Sequence, residues 1–106
     1  MTDKGWKKWE RYVCKLFGGR RRGADFRSNT GGGKNDCIKP GWSIECKYHK
    51  QLGYATILSA CNQSEQAREH VLDIPIAVVK RPGDRNKNAL VCMRLETFMK
   101  YFGGDK

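Results

Sequence analysis

The chain has 106 residues, with 21 Lys and Arg against 11 Asp and Glu, a formal charge of +10 at neutral pH. No apolar run approaches the roughly 18 residues of a membrane span, and the N-terminus lacks the apolar core of a secretion signal. We therefore expect one cytoplasmic domain over residues 1–106, with no membrane contact. The positive charge favours a polyanionic partner, most commonly nucleic acid.

The five cysteines are an odd number and form no CxxC pair: Cys14, Cys37, Cys46, Cys61 and Cys92. Structural zinc sites need clustered ligands, and disulfide frameworks usually use an even number of cysteines. The cysteine pattern therefore predicts reduced, buried thiols.

The N-terminal third predicts a helix followed by a short strand. Residues 3–17 place apolar side chains at helical spacing, and Gly18-Gly19 would end that helix. Glu10 leans toward the apolar side, which is unusual for an acid unless it is paired with an arginine or reaches water. Residues 24–28 predict a strand, and a glycine-rich loop follows.

The middle of the chain predicts a β-hairpin over residues 34–39 and 42–48. Pro40-Gly41 is typical of a tight turn. The second arm alternates, with Trp42, Ile44, Cys46 and Tyr48 on one face and Ser43, Glu45 and Lys47 on the other.

The remainder predicts a helix over 55–72, a buried strand over 74–80, a polar loop, a strand over 89–94 and a closing helix over 95–102. The continuous apolar run IPIAVVK is typical of a central strand covered on both faces. The predicted order is α-β-β-β-α-β-β-α, an α/β domain around one sheet.

A regular hairpin would put Asp36 directly opposite Glu45, with Lys47 on the same face. Like charges about 5 Å apart repel by roughly 3 kcal/mol at an effective dielectric near 20. A Mg²⁺ ion, which prefers hard oxygen ligands, would cancel that repulsion, and the Cys46 carbonyl could complete its seat. Lys47 could then orient an attacking water or stabilise phosphate charge. The plain alternative is a pair of solvated acids, or acids bridged by Lys34.

The whole pattern, from Trp6 to Phe102, resembles the PD-(D/E)XK nuclease superfamily, and more closely the Holliday junction resolvases of archaea and phages. A helical Glu, then Asp, a hairpin, Glu-x-Lys and a following helix with Gln carry the resemblance. It implies a restriction-endonuclease-like fold, with a central mixed sheet flanked by helices.

The resemblance also implies roles for individual residues. Asp36 and Glu45 match the metal-binding acids, with Glu10 in support, and Lys47 matches the catalytic lysine. Gln66 matches a glutamine on the following helix, although Gln63 competes for that role. Ser28 resembles a loop serine near the scissile phosphate.

The implied activity is Mg²⁺-dependent cleavage of four-way DNA junctions by a homodimer, with Mn²⁺ as a possible substitute. The host cytoplasm would be its location if a phage encodes it. Phosphate contacts are expected from basic residues and from Ser28: Arg20, Arg21, Arg22, Arg27, Ser28, Lys34, Lys80 and Arg81.

Three alternatives stay open at this point. The first is a nuclease of the same fold that acts on flaps, nicks or a specific duplex. The second is a non-catalytic DNA-binding module. The third is an RNA-binding protein, although no aromatic-rich RNA-binding signature is present.

Overall fold

The structure is a computed structural model that describes residues 4–22 and 35–104. The predicted strand over 24–28 and the residues Arg27, Ser28 and Lys34 lie outside these ranges. None of the helices in the described ranges is long and apolar enough to cross a membrane.

Apart from the first strand, the described elements follow the predicted order; the observed strand at Arg20–Arg21 was not predicted. Helix α1 spans Gly5–Leu16, and strands β1, β2 and β3 span Arg20–Arg21, Cys37–Ile38 and Trp42–Tyr48. Helix α2 covers Tyr54–Gln66, followed by β4 over Ile74–Lys80, a 3₁₀ turn at Asn86–Asn88, β5 over Leu90–Cys92 and α3 over Leu95–Phe102. An α/β architecture is thus confirmed.

Strand β4 lies at the centre of a mixed three-stranded sheet. It pairs parallel with β3, in the register Trp42↔Ile74 to Tyr48↔Lys80, and antiparallel with β5. Because parallel neighbours need a crossover, α2 links β3 to β4 as a βαβ unit. The continuous apolar run of β4 is buried from residue 75 to residue 79, as predicted.

The two faces of this sheet are covered by different helices. On one face α1 packs through Trp9, Val13 and Cys14 against alternate residues of β3 and β4: Ile44, Cys46, Ile76 and Val78. On the other face Ala60 and Cys61 of α2 pack against Ala77 and Val79. Glu45 and Lys47 alternate with the α1-facing residues of β3, so they point to the α2 side of the sheet.

The predicted hairpin forms its turn but not its ladder. Trp42 N–H donates to the Lys39 carbonyl at 3.1 Å, and Gly41 has φ of 90°, as a type II turn requires. Further along, Asp36 N–H donates to the Ile44 carbonyl at 2.9 Å, one residue out of the predicted register. Strand β2 pairs with β1 instead. The prediction that Asp36 lies directly opposite Glu45 is therefore wrong; the shift removes two like charges from direct opposition.

The cysteine prediction is also wrong for two residues. Cys14 of α1 and Cys37 of β2 form a disulfide, with their Cα atoms 5.4 Å apart. Both lie in the core between α1 and the sheet, where their side chains meet. Cys46, Cys61 and Cys92 are free thiols.

Helix α2 ends earlier than the predicted residue 72. Ala67 caps it, and the Asp73 carboxylate accepts the backbone N–H of His70 at 3.1 Å, which closes a separate turn. Val71 and Leu72 are consequently 72% and 71% exposed. Their apolar character had suggested a longer helix, but in this turn they contribute nothing to the core.

Candidate active site

Asp36 is fixed by three hydrogen bonds at the edge of β3 that faces away from β4, called here the open edge because no other described strand pairs with it. Its N–H bonds the Ile44 carbonyl, its C=O accepts from Arg22 N–H at 2.9 Å, and its Oδ2 accepts from Cys46 N–H at 2.6 Å. The carboxylate is therefore held beside the peptide that links Glu45 to Cys46. A charged acceptor on a backbone donor is among the stronger hydrogen bonds in proteins.

Residue Asn35 is held by a two-point contact that supports this position. The Arg22 guanidinium donates through Nε to the Asn35 carbonyl and through Nη2 to its Oδ1, both at 2.9 Å. Asn35 is buried. Sequence reasoning treated Arg22 as a phosphate contact, and only the fold reveals that it anchors the segment before Asp36.

Glu45 and Lys47 meet on the α2-facing side of β3. Lys47 Nζ lies 3.6 Å from Glu45 Oε2, and the two side chains are only 21% and 12% exposed. Residues two apart on a strand share a face, so the spacing of Glu-x-Lys produces this pair directly.

The backbone of Cys46 is oriented toward Asp36. Within a strand, the N–H and C=O of one residue point to the same side. Because the Cys46 N–H donates to Asp36, its carbonyl is directed to the same open edge of β3. The carbonyl predicted as a metal ligand therefore lies on the side of the strand that carries Asp36.

Glu10 reaches the same region from α1 but has a partner there. Its Oε1 accepts from Arg21 Nε at 2.7 Å, with both side chains less than one-fifth exposed. Arg21 also lies over the Trp6 ring, 5.6 Å from its centroid. This contact is the arginine pairing that the sequence left open as the alternative to a metal-supporting role for Glu10.

The environment favours the protonated forms of both central acids. Burial, opposed by the Cys46 N–H and reinforced by the negative charge of Glu10, raises the pKa of Asp36 to about 6. Burial first, and then the charge of Asp36, raises the pKa of Glu45 to about 7, although Lys47 opposes this shift. Burial likewise raises the pKa of the Cys46 thiol, which stays neutral. Perturbed acids that share a partly buried site are typical of functional sites.

The donor set suits a hard divalent cation in part. Two carboxylates with raised pKa values and a neighbouring carbonyl are oxygen ligands of the kind Mg²⁺ takes together with water. Within residues 4–22 and 35–104, however, no three His, Cys, Asp or Glu side chains are grouped as a set that could hold a metal ion. The ligands available to a cation are thus the carboxylates of Asp36 and Glu45 and the Cys46 carbonyl, because the Glu10 carboxylate is paired with Arg21.

The two glutamines of α2 lie on its exposed side. Gln66 is the last residue of the helix, and both Gln63 and Gln66 are exposed. The C-terminal end of α2 is fixed to β3 where Ser43 Oγ donates to the Ser64 carbonyl at 2.6 Å. The C-terminal end of α2, which carries Gln66, therefore lies near Ser43, two residues before Glu45 on β3.

The predicted phosphate-binding residues differ in how free they are. Arg20 is exposed, whereas Arg21 and Arg22 are half-buried and occupied by Glu10 and Asn35. Lys80 Nζ donates to Asn86 Oδ1 at 2.7 Å and lies over the Trp9 and Tyr48 rings, and Arg81 pairs with Asp84 at 3.1 Å. Lys80 is the last residue of β4. The sequence did not predict its contacts with the Trp9 and Tyr48 rings.

A groove of about 440 Å³ lies beside the end of β4. Its lining includes the basic residues Lys50, Lys80 and Arg81, the acid Asp84, and the apolar residues Leu52 and Ile57. Arg20, on β1, does not line this groove.

Comparison of the chain with protein-family models, curated proteins and solved structures finds no match. The functional argument therefore rests on the geometry and charge of the site and on the resemblance of the sequence pattern.

Proposed function

We propose that this chain is a Mg²⁺-dependent endonuclease that cleaves structured DNA, with four-way junctions as the substrate its sequence resemblance favours. The observation that carries the proposal is the hydrogen bond from Cys46 N–H to Asp36 Oδ2. It brings the carboxylate of Asp36 to the edge of the strand that carries Glu45 and Lys47. The pattern Asp…Glu-x-Lys thereby becomes one cluster in space.

Each residue has a role in the proposed reaction. Asp36, Glu45 and the Cys46 carbonyl would hold Mg²⁺, which when bound polarises the phosphate and activates water. Lys47, 3.6 Å from Glu45, would orient the attacking water or stabilise negative charge on the phosphate. Arg21 holds Glu10 next to this cluster, so Glu10 acts as a positioning residue that adds negative potential.

The charge of the whole chain suits a phosphodiester substrate. A net charge of +10 surrounds a local group of acids, so DNA phosphates would be attracted to the surface and a cation to the site. Phosphate contacts give binding that weakens steeply with salt and reads shape rather than bases. Arg20 and the groove lined by Lys50, Lys80 and Arg81 are the described surfaces for such contacts, where Lys80 and Arg81 would exchange their contacts with Asn86 and Asp84 for phosphate.

The restriction-endonuclease-like fold and the cytoplasmic location are parts of this proposal. A mixed sheet covered by α1 and α2, with the acids at the open edge of β3, supports the fold. Disulfides are rare in reducing compartments, so the Cys14–Cys37 disulfide counts against the cytoplasmic part of the proposal. Trapping with a maleimide reagent in cells measures whether the two cysteines are oxidised there.

The decisive test is cleavage of end-labelled four-way junction, flap, nicked and linear duplex DNA at low salt. Mg²⁺, Ca²⁺ and EDTA are compared side by side. We expect cleavage with Mg²⁺ and binding without cleavage in Ca²⁺ or EDTA. If the wild-type protein leaves every substrate intact, it is not this nuclease.

Matched variants separate catalysis from binding. Lys47→Ala and Glu45→Gln should abolish cleavage and leave junction binding within about threefold, since neither removes a surface phosphate contact. Lys15→Ala and Glu96→Gln make the same chemical changes at exposed positions and should cut normally. If the site variants and the exposed control variants lost DNA binding equally, Glu45 and Lys47 would act through folding or the overall charge of the protein.

A non-catalytic DNA-binding module is the second candidate. It is favoured by one observation: Glu10 pairs with Arg21 and Glu45 with Lys47, so two of the three acids already have cationic partners. Such a protein would bind branched DNA in a salt-dependent way and cut nothing in Mg²⁺. The same junction assay decides between the two.

A further inference from the structure

One side of helix α1 borders a small pocket at the end of the sheet, called here the α1 pocket. Its volume is about 180 Å³. Its lining includes four α1 residues at positions i, i+3, i+4 and i+7 and the last residues of β3 and β4: Gly5, Lys8, Trp9, Tyr12, Tyr48 and Lys80. Tyr48 and Lys80 are partners in the parallel register, so the pocket lies at the carboxyl ends of both strands. Crevices at that end of parallel strands are common ligand sites.

Two aromatic rings of α1 form one wall of the pocket in a fixed arrangement. Trp9 is 3% exposed, and its Nε1 donates to the Val78 carbonyl at 3.4 Å, which ties the ring to β4. Tyr12 stacks on Trp9, with ring centroids 5.8 Å apart and 22° between the ring planes. Because Tyr12 is 40% exposed, part of its ring stays available to a ligand. A ring held in place before binding loses little conformational entropy when a ligand stacks on it.

A third ring, that of Tyr48, reaches the pocket because residue 5 is a glycine. A Cβ atom at Gly5 would lie 2.8 Å from the nearest ring atom of Tyr48, too close for two carbon atoms that are not bonded. Tyr48 packs on the α1 side of the sheet, whereas Lys47, the residue before it, faces α2. The α1 pocket and the candidate active site therefore lie on opposite faces of the same strand.

The charged groups of the α1 pocket are cationic. Lys8 is exposed on α1. Lys80 Nζ lies 5.2 Å from the centroid of the Trp9 ring and 5.6 Å from that of Tyr48. It also donates to Asn86 Oδ1 at 2.7 Å, and since an ammonium has three donors, two remain for an anion. Among the described residues that line the pocket, none is acidic.

A ligand that matches the α1 pocket has one flat π system with a negative charge beside it. A nucleotide has both, and aromatic rings with neighbouring cations are the usual recognition groups for single strands. The pocket is smaller than the roughly 300–1,000 Å³ of a site for a drug-sized ligand, so it fits one base and not a base pair. We propose that the α1 pocket binds one unpaired nucleotide of a nucleic-acid strand, with its base stacked on Tyr12 and its phosphate at Lys8 and Lys80.

This inference adds base stacking to the phosphate contacts, and it rests on the proposed function for its choice of DNA as the strand. Within that function it selects a substrate class. A base inside a duplex is paired and stacked, so flaps, single-stranded ends and opened junctions are the substrates that offer a nucleotide to the pocket. A protein that cuts junctions but does not bind unpaired bases contradicts this inference alone. A protein that binds single strands and cuts nothing contradicts the proposed function alone.

The test is fluorescence anisotropy with a labelled oligothymidylate of about eight nucleotides and with an abasic strand of the same length. Both strands carry the same phosphates, so the difference in affinity measures the contribution of the bases. We expect oligothymidylate to bind roughly fivefold to a hundredfold more tightly. Tighter binding of oligouridylate would overturn the choice of DNA, and equally tight binding of free thymidine monophosphate would overturn the recognition of a strand.

Variants of Tyr12 locate the base contact. Tyr12→Ala should raise the Kd for oligothymidylate roughly fivefold or more and leave the Kd for the abasic strand unchanged. Tyr12→Phe keeps the ring and should bind like wild type. Tyr54→Ala is the matched control, because Tyr54 is an 81% exposed tyrosine of α2 outside the pocket. Circular dichroism spectra that match wild type show that these variants are folded.

A variant of Lys8 tests the phosphate contact without removing a packed ring. Lys8→Ala should weaken the binding of both strands and reduce the slope of log Kd against log salt by roughly 0.7, whereas Lys15→Ala, at an exposed α1 residue outside the pocket, should leave the slope unchanged. An equal change of slope in both variants would overturn the phosphate contact. Equal affinity of wild type for the two strands, an unchanged preference in Tyr12→Ala, or an equal loss in Tyr54→Ala would each overturn the proposal.

Discussion

The carboxylate of Asp36 accepts a 2.6 Å hydrogen bond from the backbone N–H of Cys46, although the strand that follows Asp36 pairs with Arg20–Arg21 and not with β3. The Asp36 carboxylate thus takes the place of a backbone carbonyl as the acceptor for the Cys46 N–H. The consequence is that Asp36 is held next to Glu45 without being its cross-strand neighbour. The chemistry of the site and its cost to stability both follow from this contact.

Replacing Asp36 by asparagine should stabilise the metal-free protein. Burial raises the pKa of Asp36 to about 6, so at about pH 8 the folded state holds a charge that the site disfavours. Asp36→Asn removes that charge and retains an oxygen that can accept the Cys46 N–H. We expect the melting temperature in EDTA at about pH 8 to rise, by the equivalent of about 1–3 kcal/mol.

Asp84→Asn is the control, because Asp84 is a surface residue paired with Arg81 and such pairs contribute only about 0–1 kcal/mol. A clear fall in the melting temperature of Asp36→Asn, larger than that of the control, would contradict the argument that burial disfavours the charge of Asp36.

The stability of the metal-free protein should fall as the pH rises through the range of these two acids. Folding raises the pKa of Asp36 from 3.8 to about 6 and that of Glu45 from 4.5 to about 7. The folded state therefore binds these protons more tightly than the unfolded state. Their contribution is fully present below about pH 4 and is lost as the pH rises through about 7.

Urea unfolding in EDTA at about pH 5 and about pH 8 measures this dependence. Other groups titrate in the same range, so the informative quantity is the difference between wild type and Glu45→Gln. We expect wild type to lose about 2–3 kcal/mol more than Glu45→Gln between these conditions. Glu96→Gln, at an exposed residue, should follow wild type, and parallel curves for all three proteins would refute the assignment.

Magnesium binding, if the proposed function holds, should release protons. A cation needs ionised carboxylates, and with the pKa of Glu45 raised to about 7 this acid is partly protonated near neutrality. We expect the apparent affinity for Mg²⁺ to strengthen as the pH rises from about 6 to about 8. Calorimetry at about pH 7 in buffers of different ionisation enthalpy counts the protons; an affinity independent of pH would exclude Glu45 as a ligand.

Reduction of the Cys14–Cys37 disulfide should destabilise the chain. The two cysteines are 23 residues apart, and closing a loop of that length contributes roughly 3 kcal/mol in the chain-entropy account. Urea unfolding with and without reductant measures the loss, and the double change Cys14→Ala with Cys37→Ala should remove the response to reductant.

The number of thiols provides an independent check of the same disulfide. The unreduced protein, once denatured, should react with a thiol reagent at three cysteines, Cys46, Cys61 and Cys92. Cys92→Ala should lower that number by one and keep the response to reductant. Five reactive thiols in protein purified without reductant would show that the disulfide does not form.

Local sequence patterns predicted the regular elements well where one signal dominated. The apolar run of β4 and the helical spacing of α3 gave the observed bounds, Ile74–Lys80 and Leu95–Phe102. Helix α2 was predicted too long because Val71 and Leu72 extended its apolar pattern. The hydrogen bond from His70 N–H to Asp73 ended the helical pattern in that region, and apolar content alone does not reveal such a competing turn.

The candidate site was predictable only in its parts. Glu45 and Lys47 follow from the two-residue period of a strand, which needs no tertiary information. The register of Asp36 depended on which strand its neighbours would join, and Cys37–Ile38 joined Arg20–Arg21. A shift by one residue redirects every side chain of a strand, so the hairpin pattern alone could not predict the position of Asp36 relative to Glu45.

By itself, the sequence determined the charge of the chain, the α/β class and the position of Glu45 and Lys47 on one face of a strand, because each depends on composition or on spacing along one element. Tertiary structure decided that Cys14 meets Cys37, that Arg21 pairs with Glu10, and that α3 turns its apolar side outward. Those outcomes depend on contacts between elements distant in the chain, where burial and charge are balanced over the whole fold and not within any one segment.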